Sequence, residues 1–186
     1  MPRAESSFSL QRGAPAPDFK LPDVVSGELL GLHAWRQQRI TVIAFICNHC
    51  PYVLHVLDTL LRRAHDYQAR GVAFVAISSN DVSRYPQDAP PAMRLLATSR
   101  GFGFPYLYDE SQQVALAYGA ACTPDFYLLA ADGSLAWAGR FDESTPGNGK
   151  PATGDDLAAA LDALLEGRDC DPHPLPSVGC SIKWKA

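Results

Sequence analysis

The chain alternates between uninterrupted apolar runs and stretches in which apolar side chains recur every three or four positions. Ile40–Ile46 (ITVIAFI) and Val72–Ile77 (VAFVAI) are apolar on both faces and rich in β-branched residues, the pattern of strands buried in the middle of a sheet. Between them Val53, Val56, Leu57, Leu60, Leu61 and Ala64 follow three-four spacing, while His55, Asp58, Arg62, Arg63 and Asp66 take the other positions. This predicts a helix with one buried face, opened by Pro51 in its first turn and ended near Gly71. Strand, helix and strand make a βαβ unit, for which a right-handed crossover is expected.

Outside this unit the pattern is shorter in range. Asp18–Leu21 and Glu28–Leu30 read as strands flanking a Ser26-Gly27 turn. A polar, proline-rich loop, SSNDVSRYPQDAPP, follows the second buried strand. Pro91–Ser99 and Gln112–Tyr118 read as helices and Tyr106–Tyr108 as a short strand. Asp125–Leu129 and Leu135–Ala138 pair across the turn Ala131-Asp132-Gly133, and Asp155–Leu165 is an amphipathic last helix. Residues 1–16 are expected to be a flexible lead, and 167–186 a proline-rich extended tail. The whole reads as a single α/β domain spanning 1–186, without internal repeats.

Composition narrows the function. The 186 residues are 47% hydrophobic and 19% charged, a globular balance. A formal charge of −4, with no long run of one sign, gives no basic footprint for nucleic acid or an anionic membrane. The longest apolar run, Ile40–Cys47, falls far short of the ~20 residues of a membrane span. The opening MPRAESSFSLQRGAPAPDF has no apolar secretory core, so a cytoplasmic location is expected. Cys47, Cys50, Cys122, Cys170 and Cys180 are an odd number of cysteines for a reducing compartment, which favours catalytic or metal-binding thiols over a disulfide framework.

Two of them stand in FICNHCPYV, where the first buried strand meets the helix. Unpaired N–H groups and the positive end of the helix dipole favour a thiolate there. Three-residue spacing puts Cys50 one helical turn from Cys47, so one thiolate attacks a disulfide while the other waits to resolve the mixed intermediate. Cys47 is expected to be the nucleophile and Cys50 the resolving thiol. His49, adjacent to Cys50, as a cation or hydrogen-bond donor would hold the pKa of Cys47 down, with Asn48 and Pro51 completing the tuning environment. A lowered thiol pKa makes the disulfide more oxidising, and a potential between about −270 and about −120 mV is expected. The same pair is also compatible with half of a zinc site or with plain packing. Zinc needs two more ligands; Cys170 and Cys180 lie ten apart, which is not a tight ligand knuckle, though His173 could join them.

FICNHCPYV, together with APDFKLPD and GVAFVAISSND, resembles the thioredoxin superfamily in its peroxiredoxin-like branch, the alkyl hydroperoxide reductase/thiol-specific antioxidant family. The closing PSVGCSIKWK resembles the tail of one subgroup of that branch. The resemblance covers nearly the whole chain and implies a thioredoxin-like sandwich, with a mixed central sheet and helices on both faces. It also implies that Thr123-Pro124 forms the cis-proline loop facing the cysteines, with the Thr123 backbone left to pair with an incoming disulfide-bearing chain. The peroxiredoxin motif P-x-x-x-T-x-x-C is absent in both registers: Ile43 and Cys47 precede Cys50, and Ile40 and Ala44 precede Cys47. Thr123-Pro124 stands where that family has an arginine, and Thr41 where thioredoxins have a buried aspartate.

The expected activity is therefore thiol–disulfide exchange, acting on a protein or small-molecule disulfide and coupled to a thiol reductant protein. No cofactor, resident metal, nucleic acid or membrane is required. A thiol peroxidase and a thioredoxin-fold copper or zinc carrier are the alternatives. Cys122 is either packing or an extra thiol near the pair. Cys180 either anchors the tail or supplies a resolving or regulatory thiol. The loop Asn80–Pro90 either lines the entrance to the cysteines or is a polar surface connection; its Tyr85 and Asp88 match the subgroup pattern without an assigned role.

Overall fold

The computed structural model describes residues 3–186. Its centre is a five-stranded sheet of β4 (Ile40–Phe45), β5 (Val72–Ser78), β6 (Tyr106–Tyr108), β8 (Asp125–Ala130) and β9 (Leu135–Gly139), in the order β6-β5-β4-β8-β9. β4, β5 and β6 run parallel, and β8 and β9 run antiparallel to their neighbours, so the sheet is mixed. Every residue of β4 and β5 is buried, as the two-faced apolar runs require.

Strand geometry divides those residues between two cores. Ile40, Val42 and Ala44 join Phe74, Phe126 and Leu128 on the face covered by α1 (Pro51–Gln68) and α4 (Asp155–Leu165). Met93 and Ala97 of α2 (Pro90–Arg100) extend this layer. Ile43 and Phe45 join Val75, Ile77, Tyr127 and Leu129 on the other face, under α3 (Gln113–Tyr118). That second core also receives Phe19 and Leu21 beside the hairpin of β2 (Lys20–Pro22) and β3 (Leu29–Gly31). Each fully buried Leu, Ile or Phe contributes roughly 1.5–3 kcal/mol of burial. α1 turns into β5 through Gly71, whose φ of +84° is open to glycine at no steric cost.

Two terminal segments differ from expectation. Arg3–Glu5, within the lead expected to be flexible, forms β1, and Val178–Ser181, within the extended tail, forms β10. These pair with β7 (Cys122–Thr123) in a second, three-stranded sheet ordered β1-β10-β7. Short strands with polar or glycine positions carry no periodic signal, and their pairing is settled by long-range contact. No helix among the described residues is long and apolar enough to cross a membrane.

Candidate functional site

β4 ends at Phe45, and the chain passes through Ile46–His49 into α1. Cys50 is the N-cap, with extended backbone, and its carbonyl accepts from Leu54 N–H at 3.0 Å. Pro51 occupies the first turn, where a missing N–H costs nothing. Cys47 and Cys50 are 1% and 0% exposed, and all five cysteines are free thiols.

The sequence-identified Thr123-Pro124 bond is cis and lies against the pair. Thr123 Oγ1 is 3.5 Å from Cys47 Sγ, and the Cys50 thiol donates to Thr123 O at 3.2 Å. The Thr123 backbone edge, however, is not left for an incoming chain. β10 pairs antiparallel with β7, with Cys180 opposite Thr123 and Ser181 opposite Cys122. Gly179 packs so close that a Cβ would stand 2.0 Å from Thr123 O. Cys180 joins Cys47 and Cys50 in the same buried cluster, on the strand paired across Thr123. Cys122 is buried beside them, its thiol 3.8 Å from Pro124 O and 3.7 Å from Ser177 O. Cys170 goes elsewhere, donating to Ala160 O at 3.6 Å on α4.

The opposite wall comes from the loop after β5. Asp88, fully buried, accepts Asn48 N–H on Oδ1 at 2.8 Å and Asn80 Nδ2 on Oδ2 at 2.8 Å. His49 Nδ1 lies 2.6 Å from the same Oδ2, although its N–H is not aligned on the oxygen, and His49 Nε2 is buried without a partner. Tyr85 stacks on His49 at 5.5 Å with 8° between the rings. Asn48 is held on both sides, donating to Gln87 O at 2.8 Å and accepting from Tyr106 OH at 3.1 Å. Asn80 also ties this wall to the tail, accepting Lys183 N–H at 2.9 Å. The loop therefore lines the site. Asp88 is its principal residue, marked in the sequence by its match to the subgroup pattern and by its place in a polar loop leaving the same sheet end.

Electrostatics divide the two thiols in the reverse of the expected order. The Cys50 pKa is lowered to about 5: Cys47 donates to it, and Cys180, the Thr123 hydroxyl and Val53 N–H add to this against the opposing effect of burial. Its own bond to Thr123 O favours the thiol, but these donors outweigh one weak S–H donor. Cys47 moves well above the ordinary thiol value because its proton is held by Cys50, because it is buried, and because Asp88 is near. The opposite shifts have the same first cause, the contact between the two thiols, so the pair as a whole favours a single thiolate at the helix N-terminus. His49 faces Asp88, so the charge expected to act on Cys47 is opposed by a carboxylate.

Burial raises Cys122 strongly and carries Asp125, with its carboxylate beside the cis-proline, up to about 6. Cys47 Sγ, His49 and Asp88 present donor atoms within 4.8 Å of one another, the one such cluster among the described residues. Asp88 already accepts hydrogen bonds from Asn48 N–H and Asn80 Nδ2, with which a cation there would compete.

Comparison with known proteins agrees with this geometry. A conserved protein of Geobacillus kaustophilus, described as uncharacterized, is 51% identical over 100% of this chain and 97% of its own, with a TM-score of 0.96. A hypothetical protein of Sinorhizobium meliloti 1021 is 45% identical over 98% and 100% of the two chains, with a TM-score of 0.94. A thiol:disulfide interchange protein of the thioredoxin family from Chlorobium tepidum TLS is 17% identical, covering 83% and 98%, and shares the fold with a TM-score of 0.63. No curated protein matches the chain. The AhpC/TSA family model matches residues 12–138, which include the cysteine pair and the cis-proline loop. The chain belongs to the AhpC/TSA family, thiol-based redox proteins on a thioredoxin-like fold.

Proposed function

We propose that the protein is a thiol–disulfide oxidoreductase in which Cys47 and Cys50 cycle between dithiol and disulfide. The observation that carries this reading is the pair of buried free thiols at the start of α1, both held against the cis Thr123-Pro124 loop, with Cys50 lowered to about 5. The Cys50 thiolate attacks a substrate disulfide, one sulfur leaves as a thiolate, and a mixed disulfide forms on Cys50. Cys47 then attacks Cys50 Sγ, its proton passing to the departing substrate thiolate. The pair is left as a disulfide that a thiol reductant must reopen. Both sulfurs are covered, so a substrate reaches them when the tail strand or the Asn80–Pro90 loop moves aside. The test is turnover of insulin or a small disulfide with a thiol reductant. Cys50→Ser should abolish it, and unchanged turnover in both Cys47→Ser and Cys50→Ser overturns the reading.

Family membership and one contact favour a second reading, hydroperoxide reduction. The Thr123 hydroxyl brings to the sulfurs, from the facing strand, a hydrogen-bond donor that the cysteine motif itself lacks. Cys50 would take an oxygen from the peroxide to become a sulfenic acid, releasing water or an alcohol, and condense with Cys47 with loss of water. Peroxide-dependent consumption of a thiol reductant that disappears in Cys50→Ser distinguishes this reading from disulfide exchange alone.

A further inference from the structure

Cys50 has a thiol on each side. Cys47 lies in its own turn, and Cys180 lies in the same buried cluster on β10, a strand paired across Thr123 along the edge on which an external disulfide-bearing chain was expected to lie. The placement is built into the chain. Gly179 is required where the backbone of β10 meets Thr123 O, since any Cβ would collide there. β1 braces the far side of β10, with Arg3 opposite Cys180. Beyond β10, Lys183 N–H binds Asn80 Oδ1, and Lys183 O accepts from Asp81 N–H and Gln112 Nε2, each at 2.8 Å. Cys180 is 3% exposed and packs in the same core cluster as Cys47 and Cys50. The tail lies on the thiols as a substrate strand would, with its cysteine opposite the residue preceding the cis-proline.

We propose that Cys180 is a second resolving thiol for Cys50, so that the protein closes either a Cys47–Cys50 or a Cys50–Cys180 disulfide. This deepens the exchange reading and rests on it for the disulfide that starts the cycle. The Cys50 thiolate opens a disulfide R–S–S–R, giving Cys50–S–S–R and one thiolate. Cys180 then attacks Cys50 Sγ, the bond to the substrate sulfur breaks, and the departing thiolate takes the Cys180 proton. Two electrons pass from Cys50 and Cys180 to the substrate, which leaves as two thiols, with nothing else consumed. The resulting link fastens the tail strand over the site, whereas the Cys47–Cys50 disulfide leaves the tail held only by hydrogen bonds.

The experiment uses the full-length protein, reduced and then treated separately with oxidised glutathione and with diamide. Samples are quenched in acid, blocked with N-ethylmaleimide, digested without reductant and sequenced by fragmentation, because Cys170 and Cys180 share a tryptic peptide. With glutathione, Cys47→Ser should yield the Cys50–Cys180 link, and the Cys47→Ser/Cys180→Ser double variant should instead retain glutathione on Cys50. Gly179→Ala, which displaces the tail without removing a thiol, should lose the Cys50–Cys180 link while keeping Cys47–Cys50. The proposal is overturned if Cys47→Ser retains glutathione as the double variant does, or if Cys50 links to Cys122. Diamide separates the two readings, because it joins neighbouring thiols without an exchange substrate. A Cys50–Cys180 link with diamide in Cys47→Ser, with no glutathione reaction in wild type, supports the pairing and sinks disulfide exchange. Glutathione turnover in wild type with no link to Cys180 under either oxidant does the reverse.

Discussion

Two walls close on the same pair of sulfurs, and they act in opposite directions. The loop wall, with Asp88, His49 and Tyr85, places a buried carboxylate near Cys47 and helps keep its proton on. The tail wall, with Cys180 and Thr123, lowers the Cys50 pKa, and the Thr123 hydroxyl, 3.5 Å from Cys47 Sγ, also works against the loop wall at Cys47. Helix position alone would have favoured a thiolate at either cysteine. What separates them first is their contact with each other, which raises Cys47 and lowers Cys50; the walls add to it, a negative charge on one side and neutral donors on the other.

The largest test of that asymmetry is the thiolate titration of the reduced protein. One thiolate should appear with a midpoint near pH 5 and vanish in Cys50→Ala. Cys47→Ala should move it upward, because Cys47 is the first donor to Cys50. Disulfide turnover should fall by about 10³-fold or more in Cys50→Ala, the scale of losing a nucleophile. An acidic thiolate that survives Cys50→Ala would assign the charge to Cys47 and reverse the comparison.

Asp125 probes the tail wall next. It accepts from Ser6 Oγ at 2.6 Å and Tyr127 OH at 3.2 Å, and burial raises its pKa from 3.8 to about 6. The folded protein thus keeps a proton that the unfolded chain releases near 3.8. The stability held by this group is complete below 3.8 and is lost as pH rises through about 6, in all by about 3 kcal/mol. Asn is neutral throughout, so Asp125→Asn should gain on wild type by that order between about pH 4 and 7, read from urea midpoints. A difference that stays flat over this range would mean that Asp125 ionises normally in the fold.

How much of this could be read from the chain depends on the range of the contact that decides it. The buried strands Ile40–Phe45 and Val72–Ser78 and the amphipathic α1 were legible because burial on two faces, or on one face, imprints a local period. The cysteine pair and Thr123-Pro124 were legible because their residue types are chemically restricted. Asp88 was noted without a role, because its partners Asn48, His49 and Asn80 come from two segments and nothing local marks their convergence. The strands at Arg3–Glu5 and Val178–Ser181 escaped for the same reason, and so did the closure of the Thr123 edge. Which of the two thiols is the more acidic turns on a finer point. The sequence placed a histidine beside the pair, but the carboxylate that engages that histidine lies in another loop.

Asp88→Asn tests the loop wall with a smaller effect. It removes a charge accepting two hydrogen bonds and turns one oxygen into a donor facing donors, a cost of about 1–3 kcal/mol. The Cys47 pKa should fall, since one of the influences holding its proton is gone, and the Cys50 midpoint should move less. Equal movement of both would mean that the loop acts on the pair as a whole rather than on Cys47.

The smallest effect separates the two tail cysteines, which lie ten residues apart and look alike in sequence. Cys170 packs on α4 through Ala160 O, whereas Cys180 lies opposite Thr123 on the strand beside the pair. Cys170→Ala should cost about 1 kcal/mol of packing and leave both the thiolate midpoint and the disulfide pattern unchanged. Cys180→Ala should shift the Cys50 midpoint upward, by less than Cys47→Ala does, because the second donor is lost while the first remains. If the two alanine variants titrate alike, the tail wall reduces to Thr123 alone, and the acidity of Cys50 must come from Cys47, Thr123 and the first turn of α1.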